Sequence, residues 1–161
     1  VDTAWFGGHK VMKYIPAAGP LPTRAVNRAW TNGIELVSLG QQAERIKPNQ
    51  ALRLDFEFKR ISAIPEDAHV FTHLVRADGR VIPGRDGEPQ FGGAPSTQWK
   101  PGERVLDRRA ILIPPDAAPG IYTLYVGLLS PTTGRIPTLN DGSGSSDHLE
   151  LGTVEILPPS H

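Results

Sequence analysis

The chain of 161 residues has no cysteine, a single methionine, no surplus of either charge and no long apolar run. Each absence removes a class of function. Without cysteine there is neither a disulfide framework nor a thiolate metal site. With 17 basic and 17 acidic residues the formal charge is zero, and no basic stripe is visible, which argues against a nucleic-acid partner. No stretch approaches the ~20 apolar residues that a membrane span needs. The sequence opens on Val1 rather than Met, which fits a chain trimmed, processed or cut from a longer parent, and hence an exported protein.

What is abundant is punctuation. Seventeen glycines and 16 prolines separate short, clean apolar runs, so the chain reads as a turn-rich β protein rather than a disordered one. "ALRLDFEFK" is the clearest strand. Leu52, Leu54, Phe56 and Phe58 fall on one face and Arg53, Asp55, Glu57 and Lys59 on the other, as in a half-buried antiparallel strand. "NGIELVSL" follows an Asn-Gly turn, "HVFTHLV" reads as a central strand, and "RADGRVI" places an Asp-Gly hairpin signal before the next strand. "VLDRRAILIPP", "PGIYTLYVGLL" and "HLELGTVEIL" supply the rest, with Gly152 a candidate bulge. About seven short strands at this spacing predict an all-β, two-sheet antiparallel sandwich, immunoglobulin-like or jelly-roll-like, over residues 30–161.

Residues 1–29 differ. They carry Gly-Gly, Pro-containing turns and no sustained alternation, with a short strand predicted over Val11 to Ile15 and a brief helical turn after Thr23. This is read as an N-terminal arm that lies along a sheet edge or reaches another chain. Its large apolar residues, Trp5, Phe6 and Tyr14, together with Trp30 just beyond it, are the candidate interface.

Residues 32–157 resemble the β-sandwich domains at the C-termini of some bacterial membrane glycosyltransferases. The likeness rests on the Asp-Gly hairpin, the Trp-x-Pro-Gly-Glu turn, the Asp-Arg before a strand and Pro-Gly-x-Tyr-x-Leu-x-Val-Gly-Leu. It implies an extracytoplasmic accessory domain, periplasmic or at the cell surface. The membrane-embedded catalytic region of those enzymes has no counterpart in this sequence, so glycosyl transfer does not carry over.

Single residues sharpen the alternatives. Tyr122, two positions after Gly120 at a strand start, fits the corner device in which the hydroxyl bonds back to the preceding loop. Tyr125 lies on the opposite face beside Gly127, either a shallow contact platform or part of a covered strand. With Trp99, whose flat ring suits a sugar face as well as it suits packing over proline, Tyr125 is a candidate glycan contact. His69 and His73 have the spacing of a helical zinc pair, but on a strand they stand about 13 Å apart and cannot share an ion. His73 is therefore expected to be a structural histidine paired with Asp86 or Asp107. Asp141 and Asp147, in the loop "LNDGSGSSDHLE", are candidate calcium ligands, although their spacing does not match the helix-flanked calcium loop and such runs are also ordinary solvated loops. No catalytic constellation is found, and no other cofactor is expected. Two function classes follow: a docking module for other protein chains, including copies of itself, and a glycan-binding accessory domain.

Overall fold

The computed structural model describes residues 2–6, 9–13, 20–139 and 146–160. Its elements are almost all strands: β1 (Asp2–Phe6), β2 (His9–Lys13), β3 (Thr23–Ala29), β4 (Ile34–Gln41), β5 (Arg45–Ile46), β6 (Ala51–Arg60), β7 (His69–Arg76), β8 (Val81–Pro83), β9 (Arg104–Leu112), β10 (Gly120–Ser130), β11 (Gly134–Arg135) and β12 (Leu149–Ile156). Helical structure among the described residues is confined to two 3-10 turns, Pro89–Gly92 and Ser96–Gln98.

The strands form a β-sandwich. One sheet runs β3-β4-β6-β9, and the other runs β5-β12-β10-β7-β8 with β11 pairing the end of β10. All pairings are antiparallel except β5 with β12. The inward rows of both sheets make one core. Leu54, Phe56 and Phe58 on β6 meet Tyr122, Leu124 and Val126 on β10 and Val154 and Ile156 on β12. The alternation in β6 and β10 causes this: every second side chain leaves water on the same side, and two such faces cover one another.

The arm ends earlier than expected. The helical turn predicted after Thr23 is strand β3, which forms the edge of the four-stranded sheet by pairing with β4, so the sandwich begins well before residue 30. Thr and Val favour an extended backbone, and an available edge outweighs the weak capping preference of one threonine. A register shift between Ala25 and Arg28 is accommodated by Asn27 at φ 52, a left-handed position that asparagine tolerates. Further upstream, β1 pairs with β2 in a hairpin that puts Trp5 opposite Lys10 and Phe6 opposite His9. The side chains of Trp5 and Phe6, and Tyr14 and Asp141 entirely, lie outside the described residues.

Two arginine–aspartate pairs, each two residues apart on one strand, are buried in the four-stranded sheet. Arg53, on the face expected to be solvated, is only 2% exposed and binds Asp55 at 3.0 Å. Arg109 binds Asp107 at 2.6 Å and gives its remaining N–H groups to the carbonyls of Val70, Arg85, Gly87 and Glu88. Asp107 is thus the partner of Arg109 and of the Gln90 amide, not of His73, which belongs to the other sheet. A carboxylate so deep in the sandwich needs a full cation, and the guanidinium supplies one while tying the loop carbonyls to β9.

Candidate functional site

Strand β10 runs through the middle of its sheet, so both of its faces carry information. On the inner side Tyr122 is buried, and its hydroxyl donates to the Ala118 carbonyl at 2.9 Å, closing the loop that precedes the strand. On the outer side Tyr125 pairs across the strands with His73 of β7 and Glu150 of β12. A register shift between Thr123 and Tyr125, opposite Gly152 at φ 103, bulges β12 at this point.

The outer face at Tyr125 is a continuous run of flat groups. The His148 ring stacks on Tyr125 at 4.1 Å between centroids and 17° between planes. His148 Nδ1 lies 2.8 Å from Asp147 Oδ1, and Arg135 Nη1 donates to Asp147 Oδ2 at 3.3 Å. The same guanidinium lies 4.7 Å over the ring of Phe71, which is tilted against His73 at 5.2 Å. Phe71 stands cross-strand from Gly127, and its ring fills the space that a Cβ at Gly127 would take, 2.1 Å from the nearest ring atom. The glycine gap beside Tyr125 is therefore closed by an aromatic ring, and the platform is Tyr125 with His148 rather than Tyr125 with an open notch.

Charge follows the same layout. Partial burial holds the His73 pKa below its ordinary 6.5; the Asp86 charge opposes this, while Arg135 and His148 add to it. Asp86 thus acts on His73 through charge. The Tyr125 phenol is raised above 10.0, first by desolvation and then by the charge and hydrogen bond of Glu150. Asp147 is lowered from 3.8 chiefly by the His148 hydrogen bond, with Arg135 adding to the effect, so it stays ionised at neutral pH. The platform thus has two carboxylates, Asp147 and Glu150, at its rim.

The other expected residues fall elsewhere. Trp30 is fully buried against Phe58 at 6.4 Å and belongs to the core of its own domain, not to an interface surface. Trp99 is 3% exposed, lies 6.3 Å from Phe58, and its indole N–H donates to the Ala94 carbonyl, so it is a core residue and not a glycan contact. Both tryptophans lie in connections between strands, Trp30 at the start of the β3–β4 turn and Trp99 after the Ser96–Gln98 turn, and each turns its large ring into the core. Asp147 is occupied by a histidine and an arginine, and no group of three or more metal-binding side chains occurs among the described residues. Sequence reasoning missed His148, Arg135, Phe71 and Glu150. Only cross-strand pairing gathers them, and a single chain does not display that pairing.

A second hollow, about 610 Å³, lies along the side of the sandwich between β3 and β12, lined by Arg24, Val26, Gln41, Glu44, Leu149 and Gly152 among others. Arg24 crosses it, donating to Gln41 Oε1 at 3.1 Å and to the Leu151 carbonyl.

The chain matches no protein-family model and no curated protein sequence. Among solved structures, the C-terminal domain of wzt is similar at a TM-score of 0.50 and 11% identity, over 83% of this chain and 78% of that one. Pseudomonas fluorescens alkylpurine DNA glycosylase AlkC reaches a TM-score of 0.45 at 16% identity, over 77% of this chain but 30% of that one. A beta-glucosidase from Listeria innocua reaches 0.41 at 11% identity, over 75% of this chain and 16% of that one. What the wzt domain shares with this chain is the fold.

Proposed function

We propose that this protein is a non-catalytic glycan-binding module that acts outside the cytoplasm without a cofactor, and that the outer face of β10 is its binding surface. One observation carries this reading: the Tyr125–His148 stack, set on a central strand and rimmed by Asp147, Glu150 and Arg135. The flat ring pair suits the apolar C–H face of a pyranose, and ionised carboxylates beside a guanidinium suit its hydroxyls. A protein-docking surface would carry an exposed apolar anchor at its centre; here the central ring, Phe71, is buried beneath Arg135, and the Tyr125–His148 stack is rimmed by charged groups. The likeness to sandwich domains of membrane glycosyltransferases fits an accessory role beside enzymes that handle sugars; transfer chemistry is not proposed for this chain.

The test is retention on a glycan array, comparing the native protein with Tyr125→Ala and His148→Ala. Binding to at least one glycan class, lost in both variants while each still unfolds in one cooperative transition, is the expected result. No retention of any glycan would overturn the reading.

Docking to another protein chain is the second reading. The groove between β3 and β12 favours it, because it runs between the edge strand β3 and the part of β12 that β5 leaves uncovered, which an extended segment could join. A molar mass in solution above that of one chain, reduced to one chain by Arg24→Glu, would put this reading first.

A further inference from the structure

A second feature lies beside His69, at the start of β7. The 3-10 turn Pro89–Gly92 holds Gln90 at φ 53 and Phe91 at φ 51, two consecutive residues in a region that side-chain-bearing residues rarely adopt. The surroundings fix this backbone. The Gln90 amide donates to Asp107 Oδ1 at 2.8 Å and its side-chain amide to the Leu106 carbonyl at 2.8 Å. Arg109 holds the carbonyls of Arg85, Gly87 and Glu88 and places its guanidinium 4.8 Å from the Phe91 ring centroid. So held, Phe91 packs one side of its ring on Arg109 and remains 48% exposed.

Beside that ring is a cleft of about 290 Å³, lined by His69, Arg85, Asp86, Glu88 and Phe91. His69 Nε2 lies 3.8 Å from Glu88 Oε1, and Arg85 sits 5.0 Å from the Phe91 centroid. The volume is at the small end of ligand pockets and suits one ring. Its chemistry repeats that of the first site: a flat aromatic wall, a histidine against a carboxylate, and an arginine. His69 and His73 share the outward face of β7 about 13 Å apart. His73 is the cross-strand neighbour of Tyr125, and Phe71 with Arg135 lies between the two ends.

We infer that the Phe91 cleft is a second sugar subsite and that the ligand is an uncharged oligosaccharide chain lying along this face from Tyr125 and His148 to Phe91. A single sugar would fill one end only. The chain is uncharged because Asp147, Glu150, Asp86 and Glu88 outnumber Arg135 and Arg85 along the path, and Arg135 is paired with Asp147; an acidic chain would bring like charges together. This inference rests on the glycan reading of the Tyr125 site, and its test separates the two.

Affinities of the native protein, Phe91→Gly and Tyr125→Ala are measured for cello-, malto- and manno-oligosaccharides from monosaccharide to hexasaccharide, and for oligouronates of the same lengths. Glycine adopts the φ of Phe91 without strain, so Phe91→Gly keeps the fold and removes only the ring. The expected result is an affinity that rises about tenfold or more with chain length in one neutral series, a rise abolished by Phe91→Gly with monosaccharide binding unchanged, and little binding of oligouronates. Tyr125→Ala removes binding at every length. A length dependence untouched by Phe91→Gly, affinities independent of length, or preferential binding of oligouronates would each overturn the inference while leaving the Tyr125 site intact. Absence of binding to every member of the panel would overturn both.

Discussion

Tyr122 and Tyr125 stand three residues apart on one strand and lead opposite lives. Tyr122 points between the sheets, is buried, and spends its hydroxyl on the Ala118 carbonyl. Tyr125 points outward, stacks on a histidine and lies beside Glu150. Nothing in the residue type separates them; the parity of a strand does. An aromatic side chain facing the partner sheet is structure, and the same side chain facing away is a surface with chemistry available. The neighbours repeat the lesson. Leu124 and Val126 join the core, whereas Gly127 is the base on which Phe71 lies and over which Arg135 spreads.

The comparison can be broken most forcefully by truncating one ring at a time. Tyr122→Ala should lower unfolding free energy by about 3–5 kcal/mol, as should Phe56→Ala from the facing sheet, because each leaves a cavity that packed strands cannot close. Tyr125→Ala should cost below about 1.5 kcal/mol, the worth of an exposed ring stack. Urea unfolding of the three variants checks this, and equal losses for Tyr122→Ala and Tyr125→Ala would erase the distinction between the faces.

A smaller effect tests how the outer face is built. The methyl group of Gly127→Ala would enter the Phe71 ring, with 2.1 Å to the nearest atom, so the ring and the guanidinium over it must shift. A loss of about 1–3 kcal/mol is expected, together with weakened glycan retention. Smaller again is Tyr122→Phe, which leaves the packing and removes one hydrogen bond. It should cost about 0.5–1.5 kcal/mol by the same unfolding measurement.

The subtlest expectation concerns pH. Folding lowers the His73 pKa below 6.5, so the folded state holds the neutral ring and the unfolded chain takes up the proton first. Stability from this group is complete above 6.5, and is lost as pH falls through 6.5 toward the folded value. Asp86 opposes the shift and Arg135 and His148 reinforce it. His73→Gln should flatten the melting-temperature profile between about pH 7.5 and 5.5, where the unperturbed histidine titrates. A profile unchanged by the substitution would mean that the ring is no more desolvated than in the unfolded chain.

Much of this molecule is legible in its residue order. Alternation alone identified β6 and placed Leu52, Leu54, Phe56 and Phe58 on the core side, and Asp78-Gly79 fixed the β7–β8 hairpin with Gly79 at φ 89. Proline and glycine spacing gave the fold class, because strand period and turn chemistry are local properties that each short segment carries by itself. Strand β3 was not legible, since a sheet edge elsewhere decided what an ambiguous segment would do. Nor were the burial of Trp99, the engagement of Asp107 by Arg109, or the meeting of Tyr125, His148, Arg135 and Phe71. These depend on which strands lie side by side and which loops close over the ends of the sheets. Such contacts join residues far apart in the chain through the packing of two whole sheets, and only the folded sandwich brings them within reach.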